Sequence, residues 1–452
     1  MSNEDIGAII LAAGMGSRMH SGVHKVLHPI GGRPMIHYLM DTLDHLGIVK
    51  RVVVVGADRE QVEEHLPFAE FAVQKDQMGT AHAVYCAKAH FSGFSGDIII
   101  LYGDVPMVRE ETLMELVRVR RKTGPRAQQP AVSVLGFRPE DTGHYGRLLM
   151  GERGELEAII EFKDATVEHL AIRLCNSGIM AVDGSLLFRF LEEVDNKNRK
   201  EEYYLTDIVR IARNDGHSAI VYEGTEDEVL GINSQEDLAY AEALFQYKKR
   251  LEAMSSGVTL MDPETVYFSY DTAIENDVRV DVNVVFGPEV VVKKGAHIKS
   301  FSHLEGCVIE KGATIGPFAR IRPGTRIGEG AKIGNFVETK EADIGAGAKI
   351  SHLSYVGDAL VGAQANIGAG TITCNYDGFS KNLTEIGDGA FIGSNTSLVA
   401  PVKIGRGAIV GAGSTITKNV NANALAVTRA SQKAKEGWAS DFRKKNRQKR
   451  GK

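Results

Sequence analysis

The chain has no Cys-x-x-Cys pair, and its four cysteines (Cys86, Cys175, Cys307, Cys374) lie far apart in 452 residues. That spacing argues against a disulfide framework and points to a reduced, cytoplasmic setting. No excess of one charge sign exists either. A net charge of −5 and a pI of about 6.3 exert no general pull toward nucleic acid or an acidic membrane. Long apolar runs are missing. The opening MSNEDIG is acidic and the run after it short, so neither a signal peptide nor a membrane span is expected. The C-terminus departs from the even charge, with seven basic residues from Arg443 to Lys452 that read as a solvated, disordered tail. The length suits two or three domains.

Absences also narrow the first motif, LAAGMGSRMHSGVHK, which follows the apolar run Ile6–Leu11. A dinucleotide fingerprint needs a third glycine where Met19 stands. A Walker loop needs Gly-Lys-Ser/Thr, which is not there. What remains is Gly14-x-Gly16-x-Arg18 with Lys25 beyond it. A strand, a glycine-rich turn and a helix start leave backbone N–H groups pointing outward. With two cations beside it, this cradle suits a triphosphate under attack.

Up to about residue 235, continuously apolar runs (IGAIILAA, RVVVVGA, DIIILYGD, AVSVLGF) alternate with helical stretches (MIHYLMDTLDHL, AHAVYCAKAHF, TLMELVRVRRK). This alternation predicts an α/β domain with a parallel sheet covered on both faces, its ligand outside the carboxyl ends of the strands. The Gly14 turn and Gly103–Pro106 both occupy such ends. From Ser234, SQEDLAYAEALFQYKKRLEAM reads as one connector helix, with Ser234 and Asp237 as a capping box.

From about residue 257 the period becomes six. Ile309, Ile315, Ile321, Ile327 and Ile333 recur, with Ala313, Ala319, Thr325, Ala331 and Val337 four residues after each. The register returns at Ile386, Ile392, Leu398, Ile404, Val410 and Ile416. No α-helix keeps that period; stacked short strands do, which predicts a parallel β-helix. CNYDGFSKNLTE, at Cys374–Glu385, has no aliphatic residue in phase and predicts a projecting loop.

Asp104 at a strand end near the cradle is a natural hard-oxygen ligand for magnesium, although a turn cap before Pro106 is the plainer alternative. Gly79-Thr80 in QMGTAHA could bond a flat base edge through backbone groups, or simply start a helix capped by Thr80. His352 sits two residues after Ile350, off the inward phase. His297 and His303 read as structural or merely exposed.

Together, LAAGMGSRM…K and YGD resemble the sugar-1-phosphate nucleotidyltransferases. NFVETK, KISHLSYVGDA and NIGAGTITCNYDG resemble the left-handed β-helix acyltransferases. In this order, over nearly the whole chain, they resemble the bacterial bifunctional uridyltransferase/acetyltransferases that make UDP-N-acetylglucosamine. The resemblance implies a Rossmann-like uridyltransferase domain over 1–233, a linker helix over 234–256 and a β-helix acetyltransferase domain over 257–452. It places uridine, phosphate and sugar contacts at Leu11, Ala12, Ala13, Gly14, Lys25, Gln74, Gly79, Thr80, Tyr102, Gly103, Asp104, Gly146, Glu161, Asn176 and Asn233. Arg18 and Lys25 would stabilise the transition state; Asp104 and Asn233 would hold Mg2+. Spacing alone could not pair those two, and Asn233 by itself reads as a polar cap before the connector helix.

In the second half the resemblance makes His352 the general base. Arg322, Lys340, Tyr355 and Asn366 would bind glucosamine-1-phosphate; Ala369, Asn375, Tyr376, Ser394, Ala412 and Arg429 would bind acetyl-CoA. A homotrimer is implied, with no nucleic-acid or membrane partner and with products feeding peptidoglycan and lipopolysaccharide precursors. Two departures stand out: Met15 where the family usually has lysine, and His24 where it usually has proline. Met15 removes a cation from the cradle; His24 frees the backbone without removing a ligand. Two other readings remain in view, a single-activity nucleotidyltransferase with a regulatory β-helix and a non-catalytic scaffold of repeats. The Arg18, Lys25, Asp104 set argues against the scaffold; His352 and Lys340 argue against an idle β-helix.

Overall fold

The structure, a computed structural model, describes residues 5–56, 59–122 and 129–450; the first four residues, Ala57 of the RVVVVGA segment, and Gly451 and Lys452 of the basic tail lie outside that set. The chain divides into two compact units, Met1–Phe245 and Gln246–Lys452.

The first unit is built on a nine-stranded sheet whose path runs Ala219–Glu223, Val132–Phe137, Cys175–Asp183, Asp97–Tyr102, Ile6–Ala12, Lys50–Val55, Glu70–Val73. Ile6–Ala12 lies parallel to Lys50–Val55 and to Asp97–Tyr102, and every residue of it is buried. A strand apolar at successive positions needs cover on both faces. Ile9 and Ile100 enter one apolar cluster with Val84 and Leu187; Ile10 and Leu101 enter another with Leu39 and Leu113. The sheet is mostly parallel, but Cys175–Asp183 runs antiparallel to both neighbours. Apolarity reports burial and carries no sense of direction, so this reversal leaves no trace in the residue pattern.

Helices form at Met35–His45 and Glu110–Arg121, as the periodicity predicts. The expected helix over 81–91 instead breaks in two: Thr80–Cys86 is α-helical, and Lys88–Phe91 is a 3₁₀ turn that buries Phe91. The connector helix spans Gln235–Ser255 and its capping box closes in both directions. Asp237 N–H donates to Ser234 Oγ at 3.1 Å, and Ser234 N–H to the Asp237 carboxylate at 2.9 Å. In the first unit Ala241 and Phe245 pack with Ile30 and Met35. In the second, Gln246 exchanges hydrogen bonds of 2.7 and 2.8 Å with the Phe268 backbone, and Ala253 packs on the apolar core.

The second unit is a parallel β-helix. Ile315, Ile333, Ile350, Ile367, Ile392 and Val410 stack in register, one per coil. All the aliphatic positions of the six-residue period are buried, as are the small residues that follow them. The projecting loop lies between strands Ile372–Cys374 and Thr384–Ile386, tied by a bridge between Tyr376 and Lys381. One expectation fails. The helix Trp438–Arg450 runs into the basic tail and makes Arg443–Arg450 helical, not disordered. Lysine and arginine are good helix formers, and Trp438 stacks on Phe442 one turn later at 5.1 Å.

Candidate active sites of the two units

A cavity of about 270 Å³ opens at the carboxyl ends of the parallel strands, lined among others by Leu11–Gly14, Lys25, Gln74, Gly79, Thr80, Tyr102 and Asp104. The turn between Ala13 and Lys25 needs its glycines. Gly16 has φ +75°, and a Cβ there would stand 2.8 Å from Lys25 Cβ. Gly79 has φ +114°, and a Cβ would meet the Tyr203 carbonyl at 2.5 Å. Gly79 is thus pressed against the chain at 203, where Ala81 N–H donates to the same carbonyl. Thr80 does not cap its own helix. Its hydroxyl accepts from Leu205 N–H at 3.0 Å and touches the Tyr102 phenol.

Four residues distant in sequence converge at the cavity mouth. Lys25 forms an ion pair with Asp104 and donates to Asn233 Oδ1 at 3.1 Å; Arg18 donates to the same oxygen at 2.9 Å. Asp104 therefore does more than cap a turn, and Asn233 leaves the helix cap to Ser234. Ile232 N–H bonds the Asp104 carbonyl at 2.9 Å, which pins the loop carrying Asn233 to the strand end. Behind that loop, Glu228 is buried and takes bonds from Arg109, Thr112 and Thr225. Burial alone would raise its carboxyl; the three donors hold it below the ordinary value.

Tyr102 sits deep in the site. Burial, then the nearby Glu161 and Asp104 charges, push its phenol well above the usual range. Burial also raises the Glu161 carboxyl, which takes a 3.1 Å bond from Thr206. Asn176 N–H donates to the Gly146 carbonyl at 2.9 Å, and the turn it leads packs Gly178 against the Tyr102 ring. Gln74 donates to the Gly79 carbonyl at 3.0 Å. Met15 is exposed on the loop. Sequence reading missed Gln77 and Glu202, which also line the cavity. Gln77 stands three residues after Gln74, so the same motif could have found it.

Asp104 and Asn233 offer hard oxygens of the kind that suit a divalent cation. Among the described residues no cluster of three or more His, Cys, Asp or Glu exists. The Lys25 ammonium nevertheless already bridges the Asp104 and Asn233 oxygens, so these donors converge on a cation.

In the β-helix, His352 is exposed, and its Nδ1 lies 2.6 Å from Asn335 Oδ1. An amide oxygen only accepts, so this contact favours the tautomer with its proton on Nδ1 and leaves Nε2 unprotonated. Asn335 sits directly below His352 in the adjacent coil. Arg322, paired with Glu338 at 2.8 Å, and Lys340 stand one coil apart. The loop adds a cation that sequence reading missed: the Lys381 ammonium contacts Lys340 and, with Arg322 near, holds it below the ordinary lysine value. Three crowded cations describe a site for a multiply charged anion. Asn375 donates to Asp358 and reaches the Tyr355 hydroxyl at 3.4 Å. Asn366 lies one coil beyond Lys349.

Arg429 is elsewhere. It donates to the Ala412 carbonyl at 2.7 Å, in the terminal coils. Ala369 and Ser394 occupy turns between, their carbonyls taking Asn395 N–H at 2.7 Å and Gly413 N–H at 2.8 Å. From the Ile350 coil the stack passes through Ile367, Ile392 and Val410 to Ala426. At ~4.8 Å per step that is a rise of roughly 19 Å between His352 and Arg429.

Residues 8–162 match the MobA-like NTP transferase domain, and 306–340 with 383–418 match the bacterial transferase hexapeptide repeats. The chain is 55% identical to the "Bifunctional protein GlmU" of Paramagnetospirillum magneticum over all of both chains. It is 53% identical to that of Rhodospirillum rubrum, over 98% of this chain and 99% of the relative. For Zymomonas mobilis the identity is 48%, over 99% and 100%.

Proposed function

The chain belongs to the family of bifunctional GlmU proteins, and on that basis we propose how its residues divide the work of UDP-N-acetylglucosamine synthesis. It is an enzyme with two activities, nucleotidyl transfer in the first unit and acetyl transfer in the β-helix.

In acetyl transfer, Arg322, Lys340 and Lys381 bind the phosphate of glucosamine-1-phosphate. His352 Nε2 removes a proton from the sugar ammonium, its tautomer held by Asn335. The freed amine attacks the acetyl-CoA thioester; the new amide forms as the carbon–sulfur bond breaks and the thiolate takes up a proton. Asn375, Tyr376, Ala369, Ser394, Ala412 and Arg429 line the path for the coenzyme, with Arg429 facing one of its phosphates.

In uridylyl transfer, the Leu11–Gly14 backbone, Gln74 and Gly79–Thr80 seat the nucleotide, and Tyr102, Gly146, Glu161 and Asn176 seat the sugar. The phosphate of N-acetylglucosamine-1-phosphate attacks the α-phosphorus of UTP and pyrophosphate leaves. Arg18 and Lys25 stabilise the charge that develops. Asp104 and Asn233 would hold Mg2+, which would supply further neutralisation of the phosphates. Convergence of Arg18, Lys25, Asp104 and Asn233 at one cavity mouth is the observation that carries this reading.

We also assign the chain to the cytoplasm as a homotrimer. The four cysteines are free, and no helix among the described residues is long and apolar enough to cross a membrane. An exposed ladder of Phe301, Phe318 and Phe336, stacked at 4.8 and 5.2 Å, supports apolar contact with a further copy. Incubation with glucosamine-1-phosphate, acetyl-CoA and UTP, omitting each in turn, tests the whole scheme. Nucleotide-sugar formation that ignores acetyl-CoA would favour the single-activity alternative.

A further inference from the structure

Three glutamine amides hold the backbone of the loop that carries Arg18 and Lys25. Gln77 donates to the Ala13 carbonyl at 2.8 Å, and Gln235 to that of Met19 at 3.2 Å. Gln61 uses both ends of its amide. Its Nε2 donates to the Gly22 carbonyl at 3.1 Å, and its Oε1 accepts from His24 N–H at 3.0 Å. Gln61 stands on the short helix Glu60–His65, which contributes no residue to the lining of the nucleotide cavity.

The position it grips is special. His24 immediately precedes Lys25 and has φ −57° and ψ 138°, an extended geometry whose φ is the one a proline ring would impose. No ring fixes it here. A proline also could not supply the N–H that Gln61 receives. A single hydrogen bond would leave the segment free to pivot; two bonds, on peptide groups either side of Val23, fix its orientation. Lys25 projects from the end of that segment, toward Asp104 and Asn233.

We propose that Gln61 is a positioning residue for uridylyl transfer, its amide holding the His24 backbone in the geometry that aims Lys25. This rests on the reading that Lys25 acts on the triphosphate. The bond to the Gly22 carbonyl lies at the surface, where water can replace the amide, and the bond from the His24 N–H is only partly buried. Loss of Gln61 therefore costs little folding stability and mainly frees the loop. The consequence falls on the chemical step, since a displacement of about 1 Å in a catalytic group costs up to ~10²-fold in rate.

The test uses the full chain and compares Gln61→Ala, His24→Pro and the double variant, measuring uridylyl and acetyl transfer in the same samples. Gln61→Ala should lower kcat for uridylyl transfer roughly tenfold, with a smaller change in KM for UTP. Acetyl transfer and melting temperature should hold. His24→Pro fixes φ covalently, so it should restore most of the lost kcat in the double variant. Gln61→Glu keeps the acceptor for His24 N–H but loses the donor to Gly22, and should fall between. Wild-type kcat in Gln61→Ala would overturn the proposal. So would losses that simply add in the double variant, or an equal loss of both activities with early melting. Lys25→Ala separates the two levels. If that variant keeps full uridylyl transfer, the reading of Lys25 fails; if it is inactive while Gln61→Ala is normal, only the clamp fails.

Discussion

Arg18 donates a 2.9 Å hydrogen bond to Asn233 although 215 positions separate them in the chain. The same amide oxygen receives Lys25, whose other partner is Asp104. The glycine-rich turn, the YGD strand end and the stretch before the connector helix therefore share one electrostatic site.

Asp104→Asn removes the only carboxylate among those four residues. Pyrophosphate release should fall roughly a hundredfold or more, while acetyl transfer, which develops no phosphate charge, continues. Paired assays on one preparation check this, and equal loss of both activities would contradict two separate sites.

Met15 is exposed on the turn. A lysine there can add a charge-assisted bond to a phosphate, worth about 1–2 kcal/mol where water is partly excluded. Met15→Lys should lower KM for UTP; an unchanged KM means that the side chain points away from the triphosphate.

Glu228 ties the loop before Asn233 to Arg109 and Thr112. Its carboxyl is held below the ordinary value of 4.5 in the folded chain. The stabilisation is therefore complete above that value and fades as the pH falls through the lower, folded one. Glu228→Gln should cost about 1–3 kcal/mol near neutral pH, a difference that shrinks on acidification below about pH 4. Denaturant melts across that range decide it; a gap independent of pH would rule out the charge as its source.

Each unit holds its own half of the connector helix, with Gln246 bound to Phe268 and Phe245 packed at Gly31. Residues 1–250 should fold alone and keep uridylyl transfer. An insoluble fragment would mean that the β-helix completes the first core.

His352 and Arg429 stand several coils apart. We propose that copies of the chain share the acetyl-transfer site, which would bring the two residues to one cleft. His352→Ala should lower acetyl transfer 10²–10⁴-fold. Mixing it with Arg429→Ala, then dissociating and reassembling the chains, should give activity above the sum of the parents. Verified exchange that yields only the sum places both residues in one chain's site.

Period and burial were legible from sequence because they are local. Ile309 to Ile333 at intervals of six dictate stacked strands whatever surrounds them, and the out-of-phase CNYDG segment had to leave the stack. The Gly14–Lys25 turn was equally local, since its shape depends on glycine at positive φ. Direction and long-range convergence were not. The reversal of Cys175–Asp183 leaves apolarity unchanged, and residue spacing carries no trace of which loops meet. Only the resemblance named Asn233. Lys381 beside Lys340, Asn335 beneath His352 and Gln61 on the His24 backbone went unseen, because each acts through a contact that only packing creates. The sequence by itself determined the two architectures and the chemistry that each can offer; tertiary structure decided which charges face one another, because electrostatic coupling depends on distance in space.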